Sequence, residues 1–167
     1  MNALRPMPLH SQLGLLALLG SGALLGGALL FQYVGGMPPC DLCMLQRYPH
    51  VVAILAGVAA LAAWRSPRLG YLWVMLAIVA LLVTSTTGVY HAGVEYHWWK
   101  GPQECTGTVP PNLSMEELKR YLFSAKMVRC DQTAWSMLGI SMAGWNAIIS
   151  AGLALVLAVG TARGLRK

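Results

Sequence analysis

Residues 43–63 read CMLQRYPHVVAILAGVAALAA, and whether this stretch crosses a bilayer decides the fold. Its wholly apolar part, Val51 to Ala63, is shorter than the roughly 20 apolar residues a spanning helix needs. To reach that length the helix must begin near Cys43, which carries Arg47 into its first turns. A charge at that depth is costly and marks a task or a partner. Pro49 offers two placements: as the first helical residue it leaves Cys43 in a loop, and inside the helix it bends it. Length favours the second.

Three neighbouring runs need no such argument. Leu13 to Val34 and Leu69 to Tyr90 carry no charge, and Ala143 to Ala162 is interrupted only by the polar Asn146. Of the 167 residues, 56% are hydrophobic and 11% charged, with a mean hydropathy of +0.56. A soluble domain carries about 25% charged residues, so the composition is that of a chain in lipid. The first run is too long for a secretory signal core, shows no small-residue cleavage pattern before Phe31, and is followed by further spans. Gly22, Gly26 and Gly27 provide either the small-residue spacing that lets membrane helices approach or merely the high glycine content of such helices.

The expectation is an all-α membrane protein, a four-transmembrane-helix bundle with a long outer loop containing a short interfacial helix. It forms a single membrane domain over 1–167, with spans at about 13–34, 44–64, 69–90 and 143–162 and outer loops at about 35–43 and 91–142. Four spans put both termini on one side, with Arg5, Arg65, Arg68, Arg163, Arg166 and Lys167 and no acid. The other side holds Arg47, Lys100, Lys119, Arg120, Lys126 and Arg129 and every acidic residue. Short loops rich in Lys and Arg stay cytoplasmic, so both termini are expected inside. The net charge of +6 forms no basic stripe beside aromatics, which argues against nucleic acid as a partner. Tyr90, Tyr96, Trp98 and Trp99 read as an interfacial belt in contact with membrane lipid.

All four cysteines, Cys40, Cys43, Cys105 and Cys130, fall on the side assigned as outer by charge alone. That compartment is where disulfides form and persist. Cys40-Asp41-Leu42-Cys43 is a C-x-x-C after Pro38 and Pro39, and a disulfide in so small a ring is of the labile, catalytic kind. Cys43 near the helix N-terminus would be favoured as a thiolate. Arg47, four residues on, lies on the same face and could serve both a thiolate and a ligand carbonyl. Cys105 and Cys130 flank Leu113 to Leu118, where Ser114 and Glu117 fit a capping box with a Leu113/Leu118 staple. The apolar stripe Leu118, Tyr121, Leu122, Ala125 suits a helix lying on the membrane surface. The rest of that loop should be mobile and its cysteines exposed. Two structural disulfides or a Cys₄ zinc site also use an even cysteine count. Zinc is disfavoured because the second pair lacks C-x-x-C spacing and the compartment is oxidising, so no metal is expected.

The chain resembles the DsbB family of bacterial disulfide bond formation proteins. The matching elements are Pro39-Cys40-Asp41-Leu42-Cys43 with Gln46-Arg47, Gly88-Val89-Tyr90-His91, Cys105, Cys130, and Trp135 through Gly139-Ile140-Ser141-Met142-Ala143 to Trp145-Asn146. They cover nearly the whole chain in order.

The resemblance implies an enzyme of the bacterial inner membrane, multi-pass, with its cysteines periplasmic. It implies that a Cys105–Cys130 disulfide accepts electrons from a reduced DsbA-like thioredoxin-fold partner through a mixed disulfide at Cys105. Cys130 then exchanges with Cys40, and Cys43 donates to ubiquinone (or menaquinone) contacted by Arg47, with His91 nearby. From the residues alone, His91 reads as an interfacial histidine. Two rivals stand beside this. A vitamin-K-epoxide-reductase-like enzyme would place the helix-linked C-x-x-C after the loop pair, whereas here it comes first. A non-catalytic membrane protein with structural disulfides would need intramembrane charges along a pathway, and only Arg47 and the polar Asn146 come close.

Overall fold

The computed structural model describes residues 6–102, 114–117, 119 and 129–166. Four long helices account for most of it: α1 (Leu9–Tyr33), α2 (Asp41–Ala62), α3 (Pro67–Glu95) and α4 (Met142–Leu165), all long and apolar enough to cross a membrane. Helix α2 starts before Cys43 and contains Pro49, so proline sits within the helix. The N–H that Pro49 lacks would have served the Leu45 carbonyl; one residue on, Thr84 Oγ1 of α3 donates to the Gln46 carbonyl at 2.9 Å and ties the two helices together. Helix α3 continues past the end of its apolar run at Tyr90 to Glu95, because His91, Ala92, Gly93 and Val94 all face protein and are buried.

Neighbouring helices run antiparallel. Helix α2 packs along α1 and α3, and α3 along α4, while α1 meets α4 over a thinner seam. The start of α1 lies by the end of α2 and the start of α3: a Cβ on Gly14 would come within 2.7 Å of the Ala60 methyl, and one on Gly70 would strike the His10 ring. At the opposite end Cys40 lies beside His91. Arg65, Arg68, Arg163 and Arg166 therefore share one end of the bundle and the cysteines the other.

Small side chains make the core. Ala17, Ala53, Ala56, Ala60, Ala77, Ala80 and Ala154 are buried with Leu13, Val74, Leu81 and Leu157, while Leu19, Leu55, Leu72 and Leu155 are exposed on the outer surface. This inversion of bulk suits helices that lack a hydrophobic drive toward one another and associate by close contact. The close contacts are made at Gly14, Gly57 and Gly88. A Cβ on Gly57 would lie 2.6 Å from the Gly14 carbonyl, and one on Gly88 3.0 Å from that of Ala143. Gly22, Gly26 and Gly27, the stripe read from sequence, have nothing within 4 Å of an added Cβ. Among the described residues, helix α1 makes its close backbone contact at Gly14 and none at that stripe.

One element departs from an all-helical reading. Ser136–Met137 (β1) and Ile140–Ser141 (β2) form a two-stranded hairpin. Its turn residues, Leu138 (φ 55°) and Gly139 (φ 76°), are both left-handed, as a two-residue type I′ turn requires. Tyr96 Oη clamps it, donating to the Gly139 carbonyl and accepting from Ser141 N–H, both at 2.9 Å. Ser141 then caps α4, its Oγ accepting from Gly144 N–H at 3.2 Å. In the outer segment the Ser114–Glu117 capping box is formed: Ser114 N–H and Oγ meet Glu117 Oε2 at 3.0 and 2.7 Å, and Glu117 N–H donates to Ser114 Oγ at 3.3 Å. The rest of the expected interfacial helix lies outside the described residues. Trp99 folds back over Gly93, its Nε1 donating to the Tyr90 carbonyl at 2.9 Å.

Gly57→Leu should destabilise the protein by about 1–3 kcal/mol, the usual cost of overpacking, whereas Gly22→Ala should stay within about 0.5 kcal/mol of wild type. Thermal unfolding in detergent micelles, followed by helical circular dichroism, reads both; equal effects would show that the α1–α2 contact is misassigned.

Candidate functional site

Pro38 and Pro39 keep the chain extended up to Cys40, which is the N-cap of α2 with φ −79° and ψ 171°. Its sulfur performs the capping, accepting from Cys43 N–H at 3.2 Å, in the role an N-cap oxygen usually takes. The two Sγ atoms are 2.7 Å apart and both thiols are free. A modest side-chain rotation would bring them to the roughly 2.05 Å of a disulfide. Cys40 is buried and Cys43 half-buried. The hydrogen bond to Cys43, and after it burial, raises the Cys40 thiol far above its ordinary range.

A chain of polar side chains leads from this pair into the bundle. Cys40 Sγ is 3.5 Å from His91 Nε2, and His91 Nδ1 is 2.8 Å from Gln46 Nε2. Gln46 Oε1 accepts from Asn146 Nδ2 at 2.7 Å. Asn146 also donates to Thr84 Oγ1 at 3.1 Å, and its Oδ1 is 2.9 Å from His50 Nε2 and accepts from Ser150 at 3.3 Å. Three helices contribute. His91 is 2% exposed and Gln46 6%, so these groups satisfy one another in place of water.

Arg47 faces α1. Its guanidinium donates to Gln32 Oε1 at 2.5 Å, to the Ala28 carbonyl at 3.4 Å and to Met44 Sδ at 3.6 Å, and it forms no ion pair among the described residues. Beside it opens a cleft of about 760 Å³, within the range of small-molecule pockets. Leu24, Ala28, Phe31 and Ile149 supply apolar wall, and Cys43, Arg47 and His91 a polar end.

Of the residues singled out from sequence, the structure gathers Cys40, Cys43, Arg47, His91 and Cys130. Cys105 lies outside the described residues. The expectation of an exposed Cys130 is corrected: it is fully buried, packed with Cys40, Leu42 and Val94, because the chain after Arg129 folds back over the end of α3 and sets the Cys130 backbone against the His91 ring. Arg129 and Asp131 clasp each other at 2.9 and 2.6 Å beside it, and this holds the Asp131 carboxyl below its usual range. His91 is a buried partner of Cys40 and not an interfacial side chain. The sequence reading also passed over His50, Thr84 and Glu95. A histidine at helical spacing from Gln46 inside a span was a signal; Glu95, which lines the cleft, was counted only as an outer charge.

Four spanning helices with a C-x-x-C dithiol at the mouth of an apolar cleft define a membrane thiol–disulfide redox protein. Residues 10–160 match the family described as "Disulfide bond formation protein DsbB", and the chain belongs to that family. It is 32% identical over 151 residues to disulfide bond formation protein B of Verminephrobacter eiseniae, covering 86% of this chain and 81% of that one. It is 30% identical over 154 residues to disulfide bond formation protein B 2 of Pseudomonas aeruginosa, covering 89% and 88%. An uncharacterized protein of Rickettsia prowazekii is 26% identical over 135 residues, 80% of this chain and 77% of its own. No solved structure matches. The protein is thus a multi-pass membrane protein of disulfide bond formation.

Asn146→Leu removes one hydrogen-bond partner each from Gln46, Thr84 and His50. It should cost about 1–3 kcal/mol for a buried unsatisfied group, more than Asn146→Gln, when both are unfolded thermally in micelles. A fully stable Asn146→Leu variant would show that the polar chain carries no structural weight.

Proposed function

We propose that this protein reoxidises the dithiol of a DsbA-like periplasmic partner and passes the two electrons to a membrane quinone. The observation that carries this reading is the placement of Cys43 and Arg47 together at the polar end of the apolar cleft. The net change is balanced: the partner dithiol becomes a disulfide, and the quinone becomes a quinol.

The order of exchange follows the cysteines. Cys105 forms the mixed disulfide with the partner, and the partner's second thiolate displaces it, leaving Cys105 and Cys130 reduced. A Cys130 thiolate then attacks the Cys40 sulfur of an oxidised Cys40–Cys43 pair, with Cys43 leaving; attack by Cys105 on Cys130 closes the loop disulfide and frees Cys40. The burial of Cys130 against Cys40 supports this route. His91 Nε2, 3.5 Å from Cys40 Sγ, is placed to hold or return the Cys40 proton, and Gln46 fixes its ring.

A quinone bound in the cleft would accept two electrons and two protons. Cys40 and Cys43 both line that cleft, Cys43 being the more exposed of the two. Arg47, anchored to α1 by Gln32 and the Ala28 carbonyl, would present its remaining donors to a carbonyl oxygen. Leu24, Phe31 and Ile149 exclude water. The basic end of the bundle is cytoplasmic by the positive-inside rule, which puts the cysteines in the periplasm and the protein in the bacterial inner membrane.

Quinone reduction driven by a reduced DsbA-like protein tests this, followed as loss of ubiquinone-analogue absorbance. Arg47→Ala should lower turnover roughly tenfold or more, the loss of a charge-assisted hydrogen bond. Cys43→Ser should abolish quinone reduction while a partner–Cys105 adduct still forms. Normal turnover by either variant refutes the electron route.

A further inference from the structure

We propose that the reduced Cys40–Cys43 pair and His91 together form a binding site for a thiophilic divalent cation such as Zn²⁺, and that the oxidised pair does not. Cys40 Sγ, Cys43 Sγ and a ring nitrogen of His91 all lie within 4.8 Å of one another, the only such group of His, Cys, Asp and Glu ligands among the described residues. With Zn–S near 2.3 Å and Zn–N near 2.0–2.1 Å, neighbouring ligand atoms on a tetrahedral ion stand about 3.5–3.8 Å apart. The Cys40–His91 spacing of 3.5 Å already meets this. The two sulfurs, at 2.7 Å, must part by about 1 Å, a small rotation for the half-buried Cys43. C-x-x-C is itself a common zinc-ligand spacing, and three protein ligands leave a fourth position for water.

The layer behind His91 suits ligation. A metal-bound histidine donates its other ring N–H to an acceptor that fixes tautomer and orientation. His91 Nδ1 lies 2.8 Å from the Gln46 carboxamide, whose oxygen and nitrogen exchange places by a half-turn of the amide. Turning the oxygen toward His91, so that Nδ1 carries the proton and the Nε2 lone pair faces the sulfurs, gives up the Gln46 bond to the Leu42 carbonyl and requires the Asn146 amide, which donates to Gln46 Oε1 at 2.7 Å, to turn with it. The third ligand comes from α3, and neither Cys105 nor Cys130 is needed.

Two Zn–S bonds and one Zn–N bond form, the two thiols release their protons to solvent, and no electron moves. A disulfide has no thiolate to give, so occupancy follows the redox state of the pair. The site rests on geometry alone. Its consequence, that a bound ion withholds the pair from electron transfer, rests on the function proposed above.

The test uses the full chain with Cys105→Ser and Cys130→Ser, purified in detergent, reduced anaerobically and titrated with Co²⁺. The expected result is a thiolate-to-cobalt charge-transfer absorbance that saturates at a single ion per chain, is displaced by Zn²⁺, and is absent from the same protein carrying the Cys40–Cys43 disulfide. Comparing one chain in two redox states removes misfolding as an explanation. His91→Ala should weaken cobalt binding. Gln46→Leu should weaken it roughly 10–100-fold, and Gln46→Glu should restore it. No absorbance in the reduced protein, equal absorbance in the oxidised protein, or unchanged affinity in His91→Ala overturns the proposal. Neither partner nor quinone is present, so the outcome is independent of the electron route.

Discussion

The Gln46 carboxamide lies between two other helices, its oxygen accepting a hydrogen bond from Asn146 Nδ2 on α4 at 2.7 Å and its nitrogen meeting His91 on α3 at 2.8 Å. Any one of these buried groups left alone costs about 1–3 kcal/mol. Beside the close contacts at Gly57 and Gly88, this polar layer tolerates no slide of one helix along another. It fixes the register of α2, α3 and α4, much as one buried asparagine fixes register in a coiled coil. The cysteine pair hangs from the same layer, because Gln46 sets the His91 ring and the ring faces Cys40.

That arrangement gives the two cysteines of one short motif different surroundings. Cys40 is an N-cap, buried between His91 and Cys130. Cys43, within the first turn, faces the cleft and Arg47. Both sulfurs line the cleft, and Cys40 is the buried one of the two.

Much of this was legible in the sequence. Apolar length gave the four spans, and the shortfall of Val51–Ala63 led to a helix containing both Arg47 and Pro49. The Ser114–Glu117 box was readable because capping is local chemistry. What escaped depended on contacts between helices. Gly22, Gly26 and Gly27 have the spacing of a packing stripe, yet Gly14 and Gly57 make the contact, since spacing does not say which face meets a partner. Leu138 hides the hairpin, because a leucine at positive φ is no turn signal and only the Tyr96 clamp makes the turn worthwhile. Cys130 looked exposed because nothing in its neighbours shows that the chain folds back onto α3.

Helices α1 and α2 touch backbone to backbone at Gly14 and Gly57, while toward their other ends Leu24 and Phe31 of α1 and Cys43 and Arg47 of α2 line the cleft. The pair is therefore wedge-shaped, pinched at one membrane face and splayed at the other. Gly57 is about 20 Å along the helix axis from Cys43 at 1.5 Å rise per residue. The gap available to a ligand is thus set partly by bulk at the far leaflet, where a single added methyl group acts on the splayed end as through a pair of tongs.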